Sequence, residues 1–293
     1  MFGYLFFRIL VALFAVLPFK IIYKIADFIS WFLYSVIQYR RKVVEAQLRK
    51  SFPDISEETF HSITKASYTN LADIIVEAIK GFTMSEAEFR KRYIFTNPGL
   101  LDHYASGGKN VLLAAAHYGN WEWAVISIPL WFPYPALGFY KPISNKYLEA
   151  YARKVRNRLG FIPVPVGQTS EYIAQYKDRA AILLFITDQN NNSRKAHWVN
   201  FLGQETACPY GADKYSRQLN APVLYMHFDR IQRGCYSIDL SLITDGNEAL
   251  PEGIVTKRFM KILENKLVHK PENWLWSHKR WKRQRSPEDK MIA

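Results

Sequence analysis

Apolar and polar positions along this chain follow the two periods that distinguish buried strands from amphipathic helices. Residues 111–116 form a short apolar run after a Gly-Gly-Lys-Asn turn, and residues 180–187 form another; both are typical of buried strands. Residues 56–79 begin with Ser-Glu-Glu and continue with apolar residues at helical spacing. The remaining segments predict strands or extended chain at 136–140, 161–166, 223–228 and 235–242, and helices at 121–131, 144–159, 170–177, 208–219 and 252–267.

The alternation of strands with helices predicts an α/β fold built on a mostly parallel mixed sheet flanked by helices. The last two strands are separated by Arg233-Gly234, and this short turn predicts that they pair antiparallel. The pattern contains no internal repeat and no low-complexity tract. One α/β domain therefore accounts for the chain beyond its N-terminal region.

The N-terminal region is almost continuously apolar. Residues 1–19 are interrupted by Arg8, and residues 25–39 by Asp27, so neither stretch has the length of about 18 uninterrupted apolar residues that identifies a transmembrane helix. No cleavage site of small residues follows the first stretch, which argues against a cleaved signal peptide. A pair of buried core helices is the alternative to a membrane anchor.

Basic residues cluster directly after these apolar stretches: Arg40, Arg41, Lys42, Arg49 and Lys50. By the positive-inside tendency, this side of a membrane is cytoplasmic. We therefore expect a membrane-anchoring helical segment at residues 1–40, either one tilted span or a hairpin in one leaflet, and a second domain at residues 41–293.

The composition points to an anionic partner at an apolar boundary. The formal net charge is +13, and 15% of the residues are aromatic. An anionic membrane, a phosphorylated substrate, an acidic carrier protein or a nucleic acid would each suit that charge. The two cysteines, Cys208 and Cys235, have neither metal-binding spacing nor a disulfide framework, and they favour a reducing compartment.

His117 and Glu122 are the first candidates for catalysis. His117 directly follows the strand at 111–116, Gly119-Asn120 forms a turn, and Glu122 falls in the first turn of the next helix. On one continuous helix the two side chains would point roughly 140° apart, but a strand–turn–helix path lets the carboxylate fold back onto the imidazole. Such a pair is a general base held in one tautomer. A buried histidine beside a glutamate that favours the helix start is the alternative interpretation.

Further polar candidates follow the next strands and helices. Asp188 comes at the end of the strand at 180–187, and chemistry in parallel sheets collects at the carboxyl ends of strands. It could position a substrate, orient basic groups, or simply cap a loop. Arg156 and Arg158 belong to a basic cluster on the helix at 144–159, which fits either phosphate or carrier contact or a solvated face.

Several motifs in order resemble the bacterial lipid A late acyltransferases of the lauroyl/myristoyl type. The central one is the His-x-x-x-x-Glu spacing within Ala-His-Tyr-Gly-Asn-Trp-Glu at residues 116–122. The others are Ser51-Phe52-Pro53 after the basic cluster, Tyr140-Lys141-Pro142 with Arg156-x-Arg158-x-Gly160, Thr187-Asp188-Gln189, Phe201-Leu202-Gly203 with Thr206, and Trp274 to Lys282. Lys141 stands where the family usually has arginine, and Leu202 replaces an aromatic residue.

The resemblance implies a glycerolipid acyltransferase-like fold and transfer of a fatty acyl group from acyl carrier protein or acyl-CoA to a hydroxyl of a lipid A precursor. It implies that His117 is the general base, that Glu122 orients it, and that Arg156 and Asp188 bind the substrate. Arg158 and Asn120 are further candidates for substrate binding. No metal and no cofactor are implied, and the enzyme would lie on the cytoplasmic side of the inner membrane.

The oxyanion of such a reaction could be stabilised by backbone N–H groups of the Gly119-Asn120 turn or by Arg156. A lysophospholipid or an amino-acid lipid is an alternative acceptor. Outside this class, a membrane-tethered nucleic-acid-binding protein would suit the charge, although the basic residues are scattered and no nucleic-acid motif is present. A non-catalytic membrane scaffold would require neither His117 nor Glu122.

Overall fold

A seven-stranded mixed sheet organises the computed structural model, which describes residues 1–292. The strands are β1 (Tyr93–Phe95), β2 (Val111–Ala115), β3 (Ala136–Tyr140), β4 (Phe161–Pro165), β5 (Ile182–Ile186), β6 (His197–Phe201), β7 (Gln204–Cys208), β8 (Val223–Gln232) and β9 (Cys235–Thr244). Their order in the sheet is β1-β9-β8-β2-β5-β3-β4, and β6 and β7 form a separate antiparallel hairpin. All neighbours in the sheet are parallel except β8 and β9. The predicted α/β fold with a mostly parallel mixed sheet is confirmed.

Helices cover both faces of this sheet. They are α1 (Phe2–Val16), α2 (Phe19–Trp31), α3 (Arg41–Ser51), α4 (Glu57–Gly81), α5 (Glu86–Arg92), α6 (Gly99–Ala105), α7 (Trp121–Trp131), α8 (Lys146–Asn157), α9 (Thr169–Tyr176), α10 (Gly211–Leu219) and α11 (Ile254–His269). Alternate residues of β2 enter opposite cores: Leu112 and Ala114 pack toward α10 and α11, whereas Leu113 and Ala115 pack toward α6 and α7. Burial on both faces explains why the central strands are continuously apolar.

The N-terminal helices pack on α4 and leave much of their apolar surface exposed. Phe14 and Ile22 form a small core with Ala72 and Val76 of α4. Helix α2 continues into a short π-helical turn, Phe32–Val36, and the chain then bends by 87° into α3. Within residues 1–292, no single helix has both the length and the apolar character needed to cross a membrane, although the bent pair meets the two criteria when counted together.

The structure differs from the predicted elements between residues 193 and 211. The helix predicted at 208–219 does not begin at Cys208, which is the last residue of β7 and pairs with His197 of β6. Helix α10 starts only at Gly211, after Pro209. Two short helices, α5 and α6, and the edge strand β1 were not predicted, because segments of three to seven residues carry too few repeats of either period to be recognised.

Candidate active site

The sheet register brings His117 and Asp188 together. Strands β2 and β5 are parallel neighbours in which Ala115 is aligned with Ile186, so the residues two positions further on meet at the same carboxyl edge. The amide of Thr187 donates to the carbonyl of Ala115, which extends the alignment past the last strand pair. The edge predicted to hold the chemistry therefore places an imidazole beside a carboxylate.

His117 and Asp188 form a close, mostly buried pair. His117 Nδ1 lies 2.7 Å from Asp188 Oδ1, and the second carboxylate oxygen, Oδ2, accepts from Trp274 Nε1 at 2.7 Å. Asp188 is 1% exposed. Burial acts to raise the pKa of Asp188, but the charge of His117 and the hydrogen bonds from His117 and Trp274 outweigh it, so the pKa lies below the ordinary value. The carboxylate is therefore ionised and accepts on both oxygens.

This contact determines the tautomer of His117. An ionised carboxylate can only accept, so Nδ1 carries the proton and donates it to Asp188. When the imidazole is neutral, its Nε2 has a lone pair available to accept a proton. The ring packs edge-on against Trp121, with 5.0 Å between centroids, and the His117 side chain keeps 18% exposure. The geometry is that of an oriented general base that can be reached from outside.

Glu122 pairs with a different residue from the one predicted. Its Oε2 atom lies 3.4 Å from Arg156 Nη2, whereas the carboxylate beside the imidazole is that of Asp188. Glu122 occupies the first turn of α7, and Arg156 lies in the last turn of α8. Both side chains line the same cavity as His117, so the three predicted residues do share one site.

That cavity has a volume of about 320 Å³, within the lower part of the range typical of ligand sites. Apolar and polar side chains both line it, and the polar ones include the cations Lys141 and Arg156. The full set is His117, Trp121, Glu122, Val125, Gly138, Phe139, Tyr140, Lys141, Arg156, Phe161, Pro163, Leu184, Ile186 and Gln189. Gly138 leaves room for the Phe161 ring, since a Cβ at that position would overlap it. A hydrocarbon chain with an anionic end fits this distribution of apolar and basic groups.

The buried carboxylate of Glu77 stabilises the turn between His117 and α7. Asn120 Oδ1 accepts from the amide of Trp123 and caps α7, while its Nδ2 donates to Glu77 at 2.7 Å. Glu77 also accepts from the hydroxyls of Tyr23 and Tyr236, at 2.8 and 2.7 Å. Burial raises the pKa of Glu77 above its ordinary value. The network fixes where α7 begins, and with it the position of Trp121 and Glu122.

Two of the predicted binding residues have other surroundings. Asn120 is fully buried in the helix cap, and Arg158 Nη2 donates to the carbonyl of Gly81 at the end of α4. Neither side chain lines the cavity. The amide of Gly119, considered above as an oxyanion donor, donates to the carbonyl of Asn273 at 2.9 Å. Of the oxyanion donors considered, Arg156 is therefore the one whose side chain faces the cavity.

Two residues of the site carried little or no signal in the sequence. Trp274 reaches Asp188 from a segment 86 positions away, and only its place in the C-terminal motif suggested a role. Glu77 lies one helical turn after Asp73 on the buried face of α4, where a pair of acidic residues would ordinarily be read as solvent-facing. Within residues 1–292, no group of three or more His, Cys, Asp or Glu side chains is placed to hold a metal ion.

Comparison with known proteins places this chain in a family. Residues 1–283 match the family model described as bacterial lipid A biosynthesis acyltransferase. The chain is 21% identical over 269 residues to a lipid A biosynthesis palmitoleoyltransferase of Escherichia coli (strain K12), a match that covers 91% of this chain and 86% of that protein. A lipid A biosynthesis acyltransferase of Shigella flexneri matches with the same identity and coverage. The resemblance inferred from the motifs is thus confirmed: the chain belongs to the bacterial lipid A biosynthesis acyltransferase family and is an acyltransferase.

Proposed function

We propose that this protein transfers a fatty acyl group from a thioester donor, acyl carrier protein or acyl-CoA, to a hydroxyl of a lipid A precursor, with His117 as the general base. The observation that carries the proposal is the 2.7 Å contact between His117 Nδ1 and Asp188, which leaves Nε2 as the proton acceptor at a cavity lined by both apolar and basic side chains. A lipid hydroxyl is a poor nucleophile, so removal of its proton during attack lowers the barrier.

The reaction proceeds by direct attack. His117 Nε2 accepts the hydroxyl proton while the oxygen forms a bond to the thioester carbonyl carbon, giving a tetrahedral oxyanion. The oxyanion collapses, the carbon–sulfur bond breaks, and the imidazolium returns its proton to the leaving thiolate, so the products are an ester and a thiol. Asp188 stays ionised throughout and stabilises the imidazolium, which is consistent with its lowered pKa. No covalent acyl-enzyme is needed.

The cations of the cavity stabilise the negative charge that develops on the oxyanion and bind the anionic groups of the substrates. Arg156 faces the cavity and is held by Glu122 at 3.4 Å, and Lys141 lines the same cavity. We assign oxyanion stabilisation to Arg156 and treat Lys141 as a point charge for phosphate. Glu122 then positions Arg156, and Asp188 takes the orienting role that the motif alone had suggested for Glu122.

The enzyme works at a membrane surface through its N-terminal helices. Large apolar side chains of α1 and α2 are exposed, among them Phe6, Ile9, Leu13, Phe28 and Trp31. Exposed apolar patches of this kind, flanked by basic residues, are typical of helices that lie in the interface of an anionic bilayer. We propose an anchor at residues 1–40 embedded in one leaflet on the cytoplasmic side of the inner membrane.

Mass spectrometry tests the proposal directly. The purified protein is incubated with acyl carrier protein thioesters or acyl-CoA and with a lipid A precursor, and the expected product is the precursor heavier by one acyl group. His117→Ala should abolish transfer with the fold intact, whereas His103→Ala, at an exposed position on α6, is the matched control and should retain it. Full turnover by His117→Ala would refute the assigned base.

A further inference from the structure

A second cavity lies between the N-terminal segment and α4. Its volume is about 480 Å³, and its walls are mainly apolar: Leu33, Tyr39, Arg40, Leu71, Ile74, Ile75, Ala78, Trp121, Glu122, Leu275, Ser277 and His278. These residues come from four parts of the chain that meet only in the folded protein. We call this cavity the α4 groove.

The α4 groove reaches the general base. Trp121 and Glu122 line both the α4 groove and the cavity that contains His117. The Trp121 ring is in edge-on contact with the His117 imidazole, and the amide of Leu275 donates to the carbonyl of His117 at 3.1 Å. A molecule seated in the α4 groove would thus have its end beside the atoms that carry out the reaction.

Exposed apolar side chains lie next to Leu33, which lines the α4 groove. Leu33 belongs to the π-helical turn Phe32–Val36, and Phe32, Val36 and Ile37 on and just after this turn are exposed. Exposed apolar side chains beside the groove favour entry of a hydrocarbon chain from a membrane. The donor thioester arrives on a soluble carrier and does not need to enter from a membrane.

A cation stands at the rim of the α4 groove. Arg40 is exposed, one of its N–H groups donates to the carbonyl of Ser277 at 2.9 Å, and its guanidinium has five N–H groups in all. His278, which also lines the groove, accepts the amide of Asn190 at Nε2, and burial lowers its pKa to about 4, so it is neutral near pH 7. The rim thus carries a fixed positive charge suited to a lipid phosphate.

We propose that the α4 groove binds a hydrocarbon chain of the acceptor lipid, with Arg40 at its anionic headgroup, while the cavity beside His117 takes the acyl chain of the donor. This inference rests on the proposed acyl transfer to a lipid hydroxyl. The two chains enter from different sides and meet at Trp121 and Glu122, so the acceptor hydroxyl reaches His117 Nε2 without displacing the donor.

Photolabelling locates the acceptor chain. The probe is a lipid A precursor with a diazirine at the end of one acyl chain, irradiated with the full-length protein in detergent micelles and mapped by peptide mass spectrometry. Labels on residues 71–78 are the expected result. Labels confined to residues 136–141 and 161–163, or labels outside both cavities, would overturn the assignment. Labelling requires no turnover, so a wild-type protein that labels at 71–78 but transfers nothing would refute the proposed reaction and not the groove.

Kinetics of matched variants test the same assignment. Ile75→Glu puts a charge into the α4 groove at a position that is 39% exposed, and Ile94→Glu makes the same change on β1 at a position that is 42% exposed and outside both cavities. Ile75→Glu should raise the KM for the lipid acceptor by about tenfold or more with the donor KM unchanged, because a carboxylate cannot be buried against a hydrocarbon chain. Ile94→Glu should resemble the wild type.

A second substitution provides the test if Ile75→Glu does not fold. Ala78→Leu fills the α4 groove without adding charge, and it should shift the acceptor KM in the same direction. If folded Ile75→Glu or Ala78→Leu raised the donor KM instead, or changed neither, the groove would not be the acceptor site.

Discussion

Replacing Asp188 by asparagine should inactivate the enzyme through the tautomer of His117. Asp188 Oδ2 accepts from Trp274 Nε1 and Oδ1 accepts from His117 Nδ1, both at 2.7 Å. An indole N–H can only donate, so the amide oxygen of asparagine must face Trp274. The amide nitrogen then faces His117 Nδ1 and donates to it, which moves the imidazole proton to Nε2. Nε2 would have no lone pair left for the substrate hydroxyl.

The size of the loss can be worked out from the alternative orientation. To keep His117 in its productive tautomer, the amide would have to turn its NH2 group toward the Trp274 N–H and leave two buried donors unpaired. Each unpaired buried donor costs about 1–3 kcal/mol, so the productive form is disfavoured by roughly 2–6 kcal/mol. At 1.36 kcal/mol per factor of ten, the expected loss of kcat is about 30-fold to 3 × 10⁴-fold.

Removing the indole donor should relieve this constraint. In Trp274→Phe the asparagine amide is free to turn its oxygen toward His117 Nδ1, so Asp188→Asn should cost at least about tenfold less in that background. The assay is a double-mutant cycle of single-turnover transfer rates, with circular dichroism and denaturant unfolding to confirm that each variant is folded.

Two results would contradict the tautomer explanation. One is an Asp188→Asn variant that keeps wild-type turnover, which would mean that the contact with His117 does not matter for the reaction. The other is an equal loss in the wild-type and Trp274→Phe backgrounds, which would show that the indole does not choose the orientation of the amide.

Three further changes test other parts of the structure. Glu77→Ala leaves the donors of Tyr23, Asn120 and Tyr236 unpaired and should lower the free energy of unfolding by about 3 kcal/mol or more, whereas Glu77→Gln should cost less; urea titration measures both. Because folding lowers the pKa of Asp188, its stabilising contribution should be complete above about pH 4 and decrease as the pH falls through the lower folded-state pKa, seen as the difference in unfolding free energy between wild type and Asp188→Asn. Replacing the exposed Phe28 by serine should weaken cosedimentation with anionic vesicles without changing the fold.

Each of these three predictions has a result that would contradict it. If Glu77→Ala were as stable as the wild type, the network beneath Asn120 would contribute little. If the wild type and Asp188→Asn lost stability in parallel below pH 4, folding would not lower the pKa of Asp188. Vesicle binding that was unaffected by Phe28→Ser would place the membrane contact elsewhere; Ile94→Glu is the control for a surface change outside the N-terminal helices.

Much of the fold could be read from periodicity because the central strands are buried on both faces. Runs such as residues 111–116 have no polar position, and the helices between them begin and end at turn residues that are visible in the sequence. The β6–β7 hairpin was missed because its two strands pair mainly with each other, and Gln204 and Glu205 interrupt the apolar pattern. Pairing between strands, rather than local preference, decides that Cys208 is in a strand.

The candidate site could likewise be predicted only in part from the sequence. The strand-end position of His117 and of Asp188 was visible, but their contact depends on β2 and β5 being parallel neighbours in a particular register, which the sequence does not state. Spacing of five residues suggested Glu122 as the partner of His117, yet the start of α7 directs Glu122 toward Arg156 on α8. The carboxylate beside His117 therefore comes from the end of the neighbouring strand and not from the next helix along the chain.

The attachment of the N-terminal helices to the rest of the protein limits how its exposed apolar surface can be reduced. Tyr23 donates a hydrogen bond to Glu77. Asp27 forms an ion pair with Arg233, which also forms one with Asp73 of α4. Expression from residue 41 onward would strip these partners away and uncover the apolar flank of α4, including Ala72 and Val76. Truncation is therefore a poor way to reduce the exposed apolar surface, and polar substitutions on the outer side of α1 and α2 are the better engineering choice.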